Sequence, residues 1–201
     1  KAQTFEGQVP STWQTNGKGS VETTTYRKKQ GQRSLLWRWE EGARLVVTEP
    51  SVTASHKGDT GMKLWIYSEA DIGDSIRIVF YNSSNQIDCS FYYNINFKGW
   101  RGMWVRFEQG MGRQGRSTTL TQMEISAPEG VPSGRLFFDV FEITTIIYYR
   151  SPGHQFARPG VTNNSFYVED AEQPYVYEKW FPQPYLPLPS EISEEERKDM
   201  E

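Results

Sequence analysis

The chain has 201 residues, a net charge of −3 at neutral pH and a single cysteine. This length suits one domain with a short appendage, and one cysteine excludes an internal disulfide. No apolar run approaches the roughly 18 residues of a membrane-spanning helix, so we expect no membrane span, and the modest net charge gives no reason to expect a nucleic-acid partner.

Charge is unevenly spread along the chain. Residues 169–201 carry ten acidic and three basic side chains, which leaves residues 1–168 with a net charge of +4. A mildly basic body is compatible with an anionic polymer as partner. Aromatic residues make up 14% of the chain. Such rings are favoured in strands, and exposed ones can also stack on the C–H faces of sugars.

Strand-like runs fill the chain up to about residue 148. Clusters of Gly, Asn, Ser and Asp separate them, and this spacing is typical of a β-sandwich or barrel. The runs cover residues 35–40, 44–48, 62–67, 75–81, 87–97, 100–107, 117–125 and 135–147. No helical periodicity of useful length precedes residue 190. The sequence therefore predicts an all-β fold, with residues 1–172 as the β-domain.

The end of the chain has a different composition. Residues 173–190 hold five prolines among Tyr, Trp and Phe. Because proline removes backbone donors and fixes extended geometry, this segment is predicted to be a strap. Ser193 then suits an N-cap, and Glu196 completes a capping box. We expect residues 191–201 to be the start of a truncated helical domain.

Residues 100–107 carry the candidate binding side chains. Apolar residues alternate here with Trp and Arg, so the apolar set should be buried and the other set should face outwards. The buried set is Met103, Val105 and Phe107. Arg101 shares their parity but lies near the strand start, where it is expected to turn to solvent. Guanidinium groups pair well with sulfate and carboxylate, and Trp rings offer a sugar platform. The predicted carbohydrate track consists of Lys98, Trp100, Arg101, Trp104 and Arg106.

Residues that could catalyse a reaction are sparse. His56 and His154 lie in predicted loops, and the sequence contains no HExxH, GxSxG or CxxC motif. Cys89 lies within an alternating strand and is expected to be buried and inert. We therefore predict no complete active site within this chain.

Three segments resemble those of carbohydrate-binding jelly rolls: FEG at 5–7, GQRSLLW at 31–37 and FFDV at 137–140. Many such folds hold a structural calcium ion between an early acid, loop carbonyls and a late Asp. Oxygen ligands of this kind suit Ca²⁺. The resemblance implies a calcium site at Glu6 and Asp139. The alternative is that Glu6 is solvated and Asp139 caps a turn.

Longer blocks are similar to the N-terminal domains of the chondroitin sulfate ABC lyases. They are QRSLLWRW at 32–39, FKGWR at 97–101 and FFDV at 137–140, and PLPSEISEEE at 187–196 is similar to the approach to that family's helical catalytic domain. The resemblance implies a jelly-roll β-sandwich without catalytic residues. It also implies a periplasmic or secreted parent that cleaves chondroitin and dermatan sulfate by β-elimination.

The function expected from this resemblance is a non-catalytic domain that binds or guides a glycosaminoglycan. Its partners would be that polysaccharide and the catalytic domain of the same polypeptide. Two other functions stay open: a purely structural domain that supports the catalytic domain, and a general module for neutral glycans. The outward set at 100–107 fits either a sugar track or a contact between domains.

Overall fold

A computed structural model describes residues 2–53, 60–107, 111–113, 119–145 and 165–169. The strap predicted at 173–190 and the helix start predicted at 191–201 lie outside these residues. Within the described part of the chain, no helix has the length and hydrophobicity that a membrane crossing would require.

Short strands account for nearly all regular structure in the described ranges. They are β1 (Trp13–Thr15), β2 (Ser20–Thr24), β3 (Ser34–Glu40), β4 (Arg44–Val47), β5 (Thr60–Ser68), β6 (Asp74–Asn82), β7 (Ile87–Ile95), β8 (Gly99–Arg106), β9 (Gly112–Arg113), β10 (Leu120–Ser126), β11 (Ser133–Thr145) and β12 (Ser165–Glu169). One four-residue helix, α1 (Pro50–Thr53), follows β4. The all-β prediction is confirmed, although β1, β2, β9 and β12 were not among the predicted runs.

The strands form two antiparallel sheets that pack as a jelly-roll sandwich. Sheet A has the order β1-β4-β10-β6-β7-β9, and sheet B has the order β12-β8-β5-β11-β3-β2. Neighbours in a sheet are often distant in the chain: β10 lies between β4 and β6, and β11 lies between β5 and β3. Side chains from distant segments therefore meet on each sheet face.

The core lies between the inner faces of the two sheets. Alternate residues of each strand point into it, as the period of two in the sequence requires. Sheet B contributes Leu35, Trp37 and Trp39 from β3, and sheet A contributes Ile76, Ile78 and Phe80 from β6. Cys89 is fully buried in this core, as predicted.

Gly134 shows how tightly one edge of the core is packed. It lies directly opposite Trp39 in the ladder between β11 and β3. A Cβ atom at residue 134 would lie 2.2 Å from Cζ2 of the Trp39 ring. The indole Nε1 of Trp39 donates a hydrogen bond to the carbonyl of Val131 at 3.0 Å. The Trp39 indole can therefore lie over the strand only because residue 134 has no side chain.

Candidate functional site

The predicted carbohydrate track lies on β8 and in the turn before it. Met103, Val105 and Phe107 are buried in the core, as the alternation predicts. Trp100 lies on the opposite, outer face of sheet B, yet it is only 6% exposed. Its ring packs edge-on against Tyr67 at 5.4 Å between centroids. The expected orientation of Trp100 is therefore correct, but other side chains cover its ring.

Arg101 corrects the sequence-based expectation. It is fully buried instead of turning to solvent. Its guanidinium donates to the carbonyl of Asn94 at 3.2 Å and to Oδ1 of Asn96 at 3.0 Å, and it lies 4.3 Å from the centroid of Phe97. Burial lowers the pKa of this guanidinium below its ordinary value. The end of β7 and the turn that follows it supply these acceptors, so Arg101 stays inside and cannot contact a polymer in this conformation.

The other members of the track have different environments. Lys98 is exposed in the turn between β7 and β8, and Arg106 is half-buried at the end of β8. The backbone of Trp104 lies in β8, and its side chain lies outside the described part. Carbohydrate binding by these three residues stays a prediction.

The outer face of sheet B carries a second apolar cluster. Its members are Leu36, Trp65, Tyr67, Trp100, Phe137 and Val140. Residues 25–33, here named the covering loop, fold over this cluster. Within the loop, the guanidinium carbon of Arg27 lies 4.7 Å from the ring centroid of Tyr26 and 4.6 Å from that of Tyr67. Lys29 places Nζ 4.3 Å from the ring centroid of Trp65. The cationic side chains thus pack on aromatic faces.

Two carboxylates hold the covering loop by its backbone. Asp139 is fully buried, and its Oδ2 accepts the amides of Lys29 and Gln30 at 2.8 and 2.9 Å. Glu6 accepts the amide of Gln32 at 2.9 Å through Oε2. Glu6 and Asp139 were predicted to share one site, and both contact the same loop. Asp139 caps this turn, as the alternative to a metal site anticipated.

The carboxylate oxygens of Asp139 and Glu6 do not fit a calcium site. Ca²⁺ needs six to eight oxygen ligands, whereas three of the four carboxylate oxygens here already face the positive ends of amide N–H groups. The fourth, Glu6 Oε1, lies against Gly31, where even a Cβ atom would be 1.9 Å away. In the described ranges, no group of three or more His, Cys, Asp or Glu side chains could hold a metal. The calcium ion stays a prediction without a matching donor set.

A groove of about 510 Å³ lies on the outer face of sheet A. Four of its lining residues form a row across neighbouring strands, which we name the cross-strand row. Ser126 of β10 pairs with Arg44 on one side and Arg77 on the other, and Arg77 pairs in turn with Tyr92. With strands about 4.8 Å apart, the row spans roughly 14 Å. The groove is therefore long enough for an extended ligand.

At one end of the cross-strand row, Arg44 belongs to a network of polar side chains that bind one another. Glu124, on β10, is almost fully buried. It accepts hydrogen bonds from Nη1 of Arg44 and the hydroxyl of Tyr81, both at 3.2 Å, and from Nε2 of Gln122 at 3.1 Å. Burial, then the charge of Glu124, raises the pKa of Tyr81. Arg44 and Glu124 thus satisfy each other, and neither depends on a ligand.

The other end of the row is different. Tyr92 is 41% exposed, and the guanidinium carbon of Arg77 lies 5.6 Å from its ring centroid. Within the described part of the chain, Arg77 forms no ion pair and no hydrogen bond through its side chain, and its Nε is buried. A partly exposed ring, with a guanidinium over it that has no counter-ion in the described ranges, suits a sugar that carries an anionic group.

Sequence reasoning did not select this groove. Arg77 lies between Ile76 and Ile78, and Tyr92 lies between Phe91 and Tyr93, so alternation alone places both on an outer face. That signal was present in the sequence. The pairing of residue 77 with residue 92 depends on the register of β6 and β7, which alternation does not give.

Comparison with known proteins shows relatives over most of the chain. The family model described as "Lyase, N terminal" matches residues 1–154. The chain is 30% identical over 164 residues to a chondroitin sulfate ABC exolyase of Proteus vulgaris, covering 79% of this chain and 16% of that protein. A chondroitin sulfate ABC exolyase of Bacteroides thetaiotaomicron is 34% identical over 121 residues, covering 55% and 11%. The chain thus spans less than one fifth of these relatives.

Solved structures with the same fold include carbohydrate-binding modules. A family 11 module from Clostridium thermocellum, in complex with a mixed-linked tetrasaccharide, superposes with a TM-score of 0.56 at 14% identity and covers 74% of this chain and 97% of that one. An exo-β-agarase superposes at 0.57 with 11% identity, covering 72% and 24%. These likenesses concern the fold alone. Taken with the family match over residues 1–154, they leave one assignment: the chain belongs to the family of lyase N-terminal domains.

Proposed function

We propose that this chain is the non-catalytic domain through which a lyase binds its glycosaminoglycan substrate, chondroitin or dermatan sulfate. The observation that carries the proposal is the groove on sheet A, where the exposed ring of Tyr92 lies beside Arg77. The polymer class is supported by the similarity to two chondroitin sulfate ABC exolyases. β-Elimination would belong to the catalytic domain of the same polypeptide, acting on a polymer outside the cytoplasm.

The groove has the chemistry of a sugar site. A pyranose presents C–H groups on its faces and hydroxyls at its rim, so it needs a flat apolar platform with polar groups beside it. Tyr92 offers the platform, and Ser75, Arg77 and Ser126 line the same groove. An open groove admits an internal stretch of a polymer as well as a chain end.

A structural role is the second candidate, and a separate observation favours it. The outer face of sheet B carries a layer of Trp, Tyr and Phe beneath the covering loop, and Tyr26 on that loop is 59% exposed. Aromatic layers of this kind also suit a contact between domains. In that case this face, and not the groove on sheet A, would support the catalytic domain.

Binding to immobilised chondroitin sulfate at low and moderate salt tests the proposal. Tyr92→Ala should weaken binding about three- to tenfold, because it removes the ring on which the sugar stacks. Tyr26→Ala is the control, since it removes another exposed tyrosine from the opposite side of the sandwich. The chain alone should release no unsaturated uronate from the polymer.

Three outcomes would contradict the proposal. Absence of polymer binding by the wild-type chain at low salt would favour the structural role. Binding to a mixed-linked β-glucan without binding to chondroitin sulfate would favour a neutral-glycan module. A larger loss with Tyr26→Ala than with Tyr92→Ala would move the binding surface to sheet B.

A further inference from the structure

We propose that Arg77 is the anion-recognition residue of the groove, and that it binds the sulfate or uronate carboxylate of a sugar that stacks on Tyr92. This inference rests on the proposed function and deepens it. In this assignment Arg77 recognises the acidic group of the polysaccharide, whereas stacking of the sugar depends on Tyr92.

Three other arginines of the described part form ion pairs with acids. Arg38 pairs with Glu22 at 2.7 Å, Arg44 with Glu124 at 3.2 Å, and Arg135 with Glu69 at 2.6 Å. Arg77 lies one strand away from Glu124, yet that carboxylate is already bound by Arg44, Tyr81 and Gln122. Among the described residues, the cation of Arg77 therefore contacts the Tyr92 ring but has no counter-ion.

The cost of this arrangement points to a ligand. Arg77 is half-buried, and its Nε is shielded from solvent without a hydrogen-bond acceptor in the described ranges. A partly desolvated cation without a counter-ion is unfavourable. An anion that bound the terminal guanidinium nitrogens would supply a counter-ion for the charge, although it would not reach Nε. Sulfate and carboxylate match the planar fork of donors with two oxygens.

The spacing to Tyr92 fits one sugar unit. The guanidinium carbon lies 5.6 Å from the ring centroid, and the two residues are direct cross-strand neighbours. A pyranose stacked on the ring would bring a substituent at its rim to Arg77. Tyr92 would then position the sugar, and Arg77 would bind the substituent only if it is anionic.

Two acids limit how much negative charge the groove accepts. Glu41 and Glu129 line it together with Arg44 and Arg77. They would repel further anionic groups that approached the groove away from Arg77. The groove therefore suits one sugar unit whose anionic substituent lies at Arg77, with the other anionic groups of the polymer outside the groove.

Affinity measurements on the 201-residue chain test this assignment. Arg77→Gln removes the charge, Arg77→Lys keeps the charge but loses the fork, and Arg38→Gln is the charge-matched control on the other sheet. The probes are chondroitin sulfate, unsulfated chondroitin and a mixed-linked β-glucan. Thermal unfolding of each variant checks that it folds.

We expect Arg77→Gln to weaken chondroitin sulfate binding about tenfold or more, since hydrogen bonds to charged groups are the strong ones. Arg77→Lys should lose less, and Arg38→Gln should change little. If the anion is sulfate, the wild-type chain will prefer chondroitin sulfate to unsulfated chondroitin, and if it is the uronate, both will bind alike. Either pattern supports the assignment, provided that Arg77→Gln weakens binding to each polymer that the wild-type chain binds.

The assignment fails if Arg77→Gln and Arg38→Gln behave alike while Tyr92→Ala still weakens binding. The groove would then bind sugar without recognising an anion, and the proposed function would stand. If Arg77→Gln does not fold, equal affinities of Arg77→Lys and wild type would also overturn it. If the wild-type chain binds no chondroitin polymer, the proposed function itself fails.

Discussion

The carboxylate of Asp139 accepts the backbone amide of Val140, the next residue, at 2.8 Å, and Val140 has a φ of +52°. A β-branched side chain rarely adopts this left-handed conformation, because Cβ crowds the backbone. The pair lies where the register between β11 and β5 shifts, between Asp139 and Glu142. One side chain thus fixes both a strained bulge in sheet B and the covering loop above it.

Replacement of Asp139 by Asn should destabilise the fold. An Asn side chain has only one acceptor oxygen, so its NH₂ group would face an amide donor of Lys29, Gln30 or Val140. We expect a loss of about 1–3 kcal/mol in the free energy of unfolding, measured by urea denaturation. Asp71→Asn is the control, because Asp71 is exposed and accepts only the Gly73 amide. Equal stabilities of the two variants would contradict the role of Asp139.

Acid titration should reveal the burial of Asp139. Burial raises the pKa of Asp139 above the ordinary 3.8, the nearby charge of Glu6 adds to this, and the three amide hydrogen bonds oppose it. Between pH 3.8 and the raised value, the folded chain keeps a proton that the unfolded chain has released. The stability contributed by this group is thus complete below pH 3.8 and is lost as the pH rises through the folded pKa.

The free-energy advantage of wild type over Asp139→Asn should therefore be larger at the acid end of this window than at neutral pH. Urea unfolding of both proteins across the window measures it, and the carbon-13 shift of the carboxyl group reports the pKa directly. An advantage that grows with pH would mean that the amide hydrogen bonds outweigh burial.

Chelation tests the calcium ion that the sequence resemblance implies. Because amide donors occupy the oxygens of Asp139 and one oxygen of Glu6, we expect EDTA to leave the melting temperature unchanged. A ligand that binds only the native state would instead raise it by mass action. A fall with EDTA that added Ca²⁺ reverses, together with metal in the purified protein, would establish the ion.

Arg101→Ala should act on stability and not on polymer affinity. The change removes a buried guanidinium that donates to Asn94 and Asn96 and packs on Phe97. We expect a loss of about 1–3 kcal/mol in unfolding free energy. Arg38→Ala, at an exposed position, should cost about 0.5 kcal/mol or less. Weakened chondroitin sulfate binding by a fully stable Arg101→Ala would restore Arg101 to the predicted track.

Much of the fold could be predicted because alternation is a local property. The alternation at 100–107 correctly assigned Met103, Val105 and Phe107 to the core. Arg101 shows where local reasoning stops. Its parity already pointed inwards, but the acceptors that make burial tolerable come from Asn94 at the end of β7 and from Asn96 in the turn that follows. Only the folded segment reveals that they accept hydrogen bonds from the guanidinium.

The candidate site was less accessible to sequence reasoning. The ion pair between Arg44 and Glu124 joins residues 80 positions apart, and it helps to leave Arg77 without a counter-ion in the described part of the chain. An arginine in isolation gives no sign of whether an acid is in reach. The Glu6 and Asp139 pair, by contrast, was found from motif order, although its partners are amides.

The cross-strand row also bears on how this domain could change over evolution. Each of its four members is supplied by a different strand and lies between two residues that pack into or against the core. A single substitution can therefore alter what the groove recognises while the interior stays intact. An inserted or deleted residue within one of these strands would turn the groove side chain inwards and expose its neighbours. New sugar preferences should thus arise in this sheet by exchange of side chains, with strand lengths held constant.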